Sequence, residues 1–506
     1  MSAPRPAGDA GFTGQVIGFP DILAWFYALL IRYTANGWKE QKFGHLLHIF
    51  KKGRKKMKFE EISRDMMQFI EKSPSCYHVI ENLRALFREA GYQELLEHER
   101  WRLEPGGRYV TTRNGSSLIA FSVPEGCYRG YMIAAAHSDS PTFKLKETHE
   151  MEVKGKYVRL NVEKYGGMIL SPWLDRPLSV AGRVTVEREG RLESRLVDIG
   201  RDLALIPNLA IHMNRSVNDG AALNPQKDML PLLRMAGGEH TMMGLAAEAA
   251  GVEEADILSS DLFLYNRMPG TVWGADREFI SSPRLDDLQC VYAAAKGLLE
   301  AENETHIAMC AVFDNEEVGS GTKQGAGSTF LEDVMKRING AFGRDLEDYR
   351  IDVANSFMAS ADNGHALHPN YPEKADEGNR PFLNGGVVIK YSANQKYTTD
   401  SVSSAIFKAV CKKAGVPFQV FANRSDILGG STLGNISNAH VSLNTVDIGL
   451  AQLAMHSPYE TGGVQDTAWL LKALRAFFSS GIFCGENGAY RLSGGEIHVH
   501  ETEEKE

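Results

Sequence analysis

The chain has 506 residues, 55 Lys/Arg against 64 Asp/Glu, and a formal net charge of −9. That length allows two or three domains with sizeable cores, and the negative balance gives no electrostatic reason to expect nucleic-acid binding. Six cysteines (Cys76, Cys127, Cys290, Cys310, Cys411, Cys484) show no Cys-x-x-Cys spacing and read as reduced thiols of a cytosolic protein rather than a disulfide framework.

Residues 1–56 stand apart from the rest. They carry nine Lys/Arg against three Asp/Glu. Phe19–Ile31 is nearly all apolar, but its 13 residues are short for a membrane span, which takes about 20. The basic run Lys51-Lys-Gly-Arg-Lys-Lys56 then precedes Met57. The favoured reading is a gene-model extension with Met57 as the natural start. An apolar-plus-basic anchor for a membrane surface is the second, and a signal peptide, with no small-x-small site following, the third.

From Met57, apolar residues at three- and four-residue spacing predict helices over Phe59–Ile70 and Cys76–Ala90. Strand-like segments follow at Arg108–Thr112, Ser117–Val123 and Tyr131–His137. Between about Thr142 and Ala247 the character changes to short β stretches, Tyr157–Val162, Leu178–Val186 and Arg195–Asp198. This fits an antiparallel β insertion inside an α/β domain. The α/β pattern resumes near Asp261. Strands at His306–Phe313, Phe418–Ala422 and His440–Ile448 alternate with helices at Gln289–Glu300, Asp400–Ala414 and Thr467–Ser480, which favours a mostly parallel central sheet flanked by helices. The tail, residues 493–506, is polar, and its His498 and His500 read as chain end rather than ligands.

The chemistry concentrates where apolar runs stop. Ile307–Phe313 gives way to Asp314-Asn-Glu-Glu-Val-Gly-Ser320. Successive strand side chains face opposite sides, so Glu316 and Glu317 can serve one site only if the strand has just ended. Alone, such a pair is usually solvated surface. Tyr131–Ala136 likewise ends in His137-Ser-Asp-Ser-Pro141, whose His and Asp, two apart, suit a metal-bound imidazole and its carboxylate. Arg284-Leu-Asp-Asp-Leu288 leads into a helix, where an aspartate is ordinarily a cap. Asp362-Asn-Gly-His365 and Met455-His456 complete the set. His137, Asp286, Glu317, Asp362 and His456 offer nitrogen and oxygen without thiolate, suiting zinc, manganese or cobalt. With one bridging carboxylate they can hold two metals about 3.5–4 Å apart, leaving Glu316 as a base. Gly319-Ser-Gly-Thr-Lys-Gln-Gly-Ala-Gly-Ser328 lacks the Gly-Lys-Ser/Thr ending of a phosphate loop.

On these residues the chain resembles the aspartyl aminopeptidase and vacuolar aminopeptidase I family of dizinc exopeptidases, in a bacterial-type form. The matching blocks are His137–Pro141, Ser282–Asp287, Phe313–Ser320, Asp362–Asn370, Val388–Lys390, Asn394–Tyr397, Gly429–Gly434 and Ala454–Ser457, running through roughly Met57 to Phe483. The resemblance implies a zinc-exopeptidase α/β domain over 57–144 and 248–492, with an inserted β-rich dimerisation domain at 145–247. It implies a cytoplasmic enzyme without membrane attachment that removes N-terminal residues from peptides. Its subunits would assemble as a homo-oligomer, a dodecamer built from dimers.

By the same resemblance two Zn²⁺ per subunit, replaceable by Mn²⁺ or Co²⁺, would be held by His137, Asp286 and Asp362 on one side and by Asp286, Glu317 and His456 on the other. Glu316 would be the general base for a zinc-activated water, and Asp139 would support His137. His365, Lys390 and Tyr397 match positions that contact substrate. His212 matches a histidine supplied by a neighbouring subunit. Asn363-Gly364 stands where family members often carry bulkier residues, and Ser457-Pro-Tyr-Glu460 where aspartyl members often have an arginine. The preferred N-terminal residue, acidic or neutral, therefore stays open. A related dizinc carboxypeptidase or deacylase and a non-catalytic assembly protein of the same fold are the alternatives.

Overall fold

The computed structural model describes residues 58–220, 222–427 and 429–494. The extension at 1–56 and the tail histidines His498 and His500 lie outside them. The main sheet has nine strands, ordered Gln93–Glu94, Arg108–Arg113, Ser117–Ser122, Ile307–Phe313, Tyr131–His137, Phe357–Ala361, Asn444–Gly449, Val387–Tyr391, Phe418–Ala422. The four central strands, from Ile307–Phe313 to Asn444–Gly449, are parallel. Both Tyr131–His137 and Ile307–Phe313 are buried at every residue, as expected of strands covered on both faces.

Strand alternation sorts their side chains into two cores. Met132, Ala134 and Ala136 pack with Leu288, Val291, Leu470 and Leu474, on helices Leu285–Leu299 and Asp466–Phe478. Tyr131, Ile133 and Ala135 pack on the other face with Phe330, Val334 and Ile338 of helix Phe330–Ala341. The run of small alanines gives the helices close access to the sheet. Helix Ser401–Ala414 is closed at both ends by sequence. Asp400 forms a capping box with Ser403, and Gly415 takes the left-handed conformation at the C-cap.

A second sheet, of six strands, is antiparallel throughout: Arg191–Asp198, Leu178–Arg188, Ile257–Asn266, Thr142–Val153, Tyr157–Tyr165, Leu232–Met235. Its inner face, with Leu145, Leu160, Val162, Val184 and Leu262, packs on Met242, Leu245 and Ala246 of helix Met242–Ala250. Strand Ile257–Asn266 pairs here, so β structure runs past the point near Asp261 where the sequence pattern placed the return of α/β alternation. A third sheet, of five short strands, includes Gly364–His365, Ala451–Leu453 and Glu460–Gly463.

The expected strand at His440–Ile448 begins only at Asn444, because Asn438 accepts from the Leu443 amide (2.9 Å) and holds the preceding residues in a turn. Strand Phe357–Ala361 and helices Phe330–Ala341 and Leu346–Ala354 were not among the expected elements, although Phe330, Leu331, Val334, Met335 and Ile338 carry helical spacing. Among the described residues, no helix is long and apolar enough to cross a membrane.

Candidate metal centre

The parallel strands finish level with one another. His137 is paired with Phe313, and Ala135 with Ser360, so the chain emerges from three neighbouring strands at one edge. His137 closes its strand, Asp362 follows Ala361 directly, and Glu316 and Glu317 sit in a single 3₁₀ turn after Phe313. That turn forms because Asn315 adopts a left-handed conformation (φ 62°), which Asn tolerates well. Its side-chain oxygen accepts from Thr322 and Gln324, each at 2.8 Å, closing the loop on itself. Two adjacent glutamates thereby face one site. Asp286 and Asp287 open helix Leu285–Leu299 with non-helical backbone, and the peptide bond between them is cis.

These elements bring the five expected ligands together. Single donor atoms of His137, Asp286, Asp287 and Asp362 lie within 4.8 Å of one another, as do those of Asp286, Glu317 and His456, and those of His137, Glu316 and Glu317. Asp286 is common to the first two sets.

The imidazoles are oriented alike. His137 Nδ1 is 3.1 Å from the Asp139 carbonyl oxygen, and His456 Nδ1 is 2.5 Å from that of Gly167. A carbonyl only accepts, so each Nδ1 carries a hydrogen and each Nε2 has its lone pair free for a metal ion or a second proton. Those lone pairs face carboxylate oxygens. His137 Nε2 is 3.6 Å from Asp286 Oδ1; His456 Nε2 is 3.6 Å from Asp286 Oδ2 and 3.5 Å from Glu317 Oε2. At that range a lone pair and a carboxylate oxygen need a cation between them, either a proton on Nε2 or a metal ion.

Asp286 Oδ1, Asp287 Oδ1 and Glu317 Oε1 are moreover buried with no hydrogen-bond partner, a costly state for a polar atom. Nitrogen and carboxylate donors of this kind suit zinc, and the residues fit such an ion.

The electrostatics agree with a crowd of acids short of positive charge. Burial pushes the Glu316 carboxyl up to about 8. Burial, with Asp286 beside it, raises Glu317 well above the carboxylate range, and burial also raises Asp287 and Asp362. Asp286 is the exception: burial would raise it, but His137 holds it low; burial would lower His137 in turn, yet Asp139 and Asp286 raise it well above its ordinary value. Burial alone would lower Lys390, yet Asp362, 3.5 Å from its Nζ, keeps it above its ordinary value.

Asp139 is not among the clustered donor atoms, but its Oδ1 lies 3.4 Å from His137 Nδ1. It is a brace, accepting from the Glu316 amide (3.1 Å), the Glu317 amide (3.2 Å) and the Tyr165 hydroxyl (2.7 Å). Lys390 is buried, donating to the Asn363 carbonyl at 3.2 Å, with its Nζ 5.2 Å from the Tyr397 ring centroid. His365 lines a cavity of about 520 Å³ with Phe421, Gln452, Leu453 and Ala454. His212 stands in the exposed turn 211–213 and shares none of these clusters among the described residues.

Several participants carried no readable signal. Glu460, 1% exposed, accepts from the Asp286 amide (2.9 Å) and the His456 amide (2.8 Å), tying two ligand backbones together. Asp287 accepts from the His137 amide at 3.2 Å. Tyr165-Gly-Gly167 had one available hint, since paired glycines after a strand often mark close backbone approach.

Comparison with known proteins places this geometry. Residues 69–478 match the family model described as aminopeptidase I zinc metalloprotease, M18. A probable M18 family aminopeptidase 2 of Clostridium acetobutylicum is 46% identical over 427 residues, 83% of this chain and 99% of that protein. A protein of the same description from Pseudomonas savastanoi is 40% identical over 429 residues, 83% of this chain and 98% of its own. Among solved structures, the Ape4 chain of an Ape4–Nbr1 complex superposes with a TM-score of 0.81 at 36% identity, covering 84% of this chain and 86% of that one. The S. cerevisiae mApe1 dodecamer gives 0.74 at 29% identity, covering 83% and 97%.

Proposed function

The chain belongs to the aminopeptidase I zinc metalloprotease family and is an aminopeptidase; on that premise we propose how its residues perform the cleavage. Two zinc ions, replaceable by manganese or cobalt, are held per subunit. His137, Asp286 and Asp362 hold one, and Asp286, Glu317 and His456 the other. The observation that carries this is the shared Asp286, whose two carboxylate oxygens each face a histidine Nε2 lone pair at 3.6 Å.

Bound zinc supplies Lewis acidity, polarising the scissile carbonyl and easing the ionisation of water near neutral pH. Glu316, buried beside the cluster, takes a proton from the attacking water at its carboxylate and returns it to the leaving amine nitrogen. Asp139 holds the loop that presents Glu316. Lys390 and His365 lie where they meet a carboxylate or the developing oxyanion, and Tyr397 offers a hydroxyl.

The enzyme works as a homo-oligomer in the cytoplasm, a dodecamer built from dimers, with residues 145–247 as the assembly domain. Leu209, Ile211 and Met213 around His212 are 54%, 49% and 74% exposed, an apolar surface suited to a second copy that receives His212 at its own site.

The test is a panel of residue p-nitroanilides and short peptides with the wild type, Glu316→Gln and a chelated sample. Glu316→Gln is expected to lose about 10²–10⁴ in kcat while keeping its zinc, and the chelated wild type to regain activity with zinc, manganese or cobalt. Full activity in Glu316→Gln would remove Glu316 from the chemistry.

A further inference from the structure

One segment outside the main sheet touches the metal cluster three times. Strand Tyr157–Tyr165 of the six-stranded sheet ends, and the chain runs on through Gly166, Gly167 and Met168 to Ile169. At its start the Tyr165 hydroxyl donates to Asp139 (2.7 Å), the brace under Glu316 and Glu317, and accepts from Asn315 Nδ2 at 2.8 Å. Next, Gly166 lies against Glu317: a Cβ built there would come within 3.1 Å of the Glu317 Cβ, and the residue has a φ of +80°. Then the Gly167 carbonyl accepts from His456 Nδ1, and the Ile169 amide donates to the His456 carbonyl at 3.1 Å. A ligand imidazole is aimed by the hydrogen bond on its other nitrogen. For His137 that acceptor is local, Asp139 two residues away. For His456 it comes from a different sheet, 289 residues distant in sequence.

We propose that Tyr165–Ile169 is a positioning strap by which the six-stranded sheet sets one half of the metal centre: it fixes the His456 tautomer and the approach of Glu317. The inference rests on the reading of His456 and Glu317 as ligands. The strap's effect is on the affinity of the His456-side position; towards His137 the strap reaches only Asp139, through the Tyr165 hydroxyl.

Zinc isotherms on the full-length apoenzyme, in a chelator buffer, read both positions without any assay of turnover. In Gly166→Ala the weaker step should lose ten- to a hundredfold in affinity, the range for changes behind a ligand, with the tighter step unmoved. His456→Ala should lose that same step. Gly190→Ala is the control, in the same region with φ +74° but nothing within 4 Å of its Cβ, and should bind as wild type. Tyr165→Phe adds no volume and should weaken the same step several-fold; if Gly166→Ala does not fold, it decides alone. Wild-type isotherms in Gly166→Ala and Tyr165→Phe would overturn the strap while leaving His456 a ligand, as would equal losses in Gly166→Ala and Gly190→Ala. Two intact steps in His456→Ala would instead overturn the ligand reading beneath it.

Discussion

The two histidines of the metal centre are built to different standards. His137 is 1% exposed, sits on a strand paired along its full length on one side, and takes its orienting acceptor from its own loop. The His456 side chain is 31% exposed, follows two short strand pieces, and depends on a strap from another sheet. One half of the site is a by-product of the fold's most buried layer. The other is assembled from loops that each need something else to hold them. On the proposed reading, a site so divided would keep one position fixed and leave the second open to substrate and to control from the six-stranded sheet.

The most severe way to break that asymmetry is at the residue both halves share. Asp286→Asn removes charge from a carboxylate that faces both imidazoles and leaves its amide group buried among acids. Loss of both zincs and at least a 10³-fold fall in kcat/KM is expected, equivalent to several kcal/mol of transition-state stabilisation. If Asp286→Asn kept one zinc at wild-type affinity, the two halves would not share a ligand and the comparison would lose its hinge. A smaller effect should appear in the wild type under stepwise chelation. The His456-side ion should leave first, so activity should fall before the second equivalent of zinc is released. A single concerted release would mean that exposure and the strap make no difference.

How much of this could be read in advance follows the same division. The His137 half was legible because strand periodicity, a strand end and a His-x-Asp spacing all lie within a few residues of one another. Glu316 and Glu317 were legible because the continuous apolar run of the strand stops at Phe313. His456, Asp362 and Asp286, each alone better explained as a cap or a packed side chain, were legible only as a set with His137 and Glu317, and the family resemblance assigned each to an ion. Tyr165, Gly167 and Glu460 were not legible. Their partners lie across the fold: Tyr165 to Asp139 spans 26 residues and Gly167 to His456 spans 289. No local pattern encodes a contact of that kind. The edges of strand Asn444–Gly449 were misread for the opposite reason, because a turn held by Asn438 overrides a locally apolar sequence.

Packing mutations should sharpen the comparison next. Leu160, 0% exposed, lies in the core of the six-stranded sheet, and Leu298, 1% exposed, in the core under the main sheet. Either change to Ala should cost about 2–5 kcal/mol. The difference lies in what is lost with it. Leu160→Ala should loosen the strand that ends in Tyr165 and weaken the His456-side zinc below the unfolding temperature. Leu298→Ala should lower the unfolding temperature with both zinc affinities intact. Equal zinc affinities in the two variants would show that the six-stranded sheet does not support the site.

The smallest expected effect separates carboxylates that need a cation from one that does not. Asp466 is fully buried like the ligands, but both its oxygens are partnered, accepting from the Asn384 amide at 2.7 Å and the Gly386 amide at 3.0 Å. Burial nonetheless pushes it up to about 7, against the pull of those two amides, from about 3.9 in an unfolded chain. The sign follows from proton counting. Between those values the folded state binds the proton and the unfolded state does not, so Asp466 favours folding at low pH. That advantage is lost as pH rises from about 4 to about 7, and is flat above. Asp466→Asn cannot titrate, so its unfolding temperature should decline less steeply than the wild type's between pH 5 and 7. An amide also accepts with only one of its two groups, which should cost about 1 kcal/mol where the wild-type acid is protonated. The change in slope should be the same with and without saturating zinc, because neither oxygen faces the cluster. A slope that zinc alters would tie Asp466 to the metal centre; identical slopes in wild type and variant would mean its proton stays put across this range.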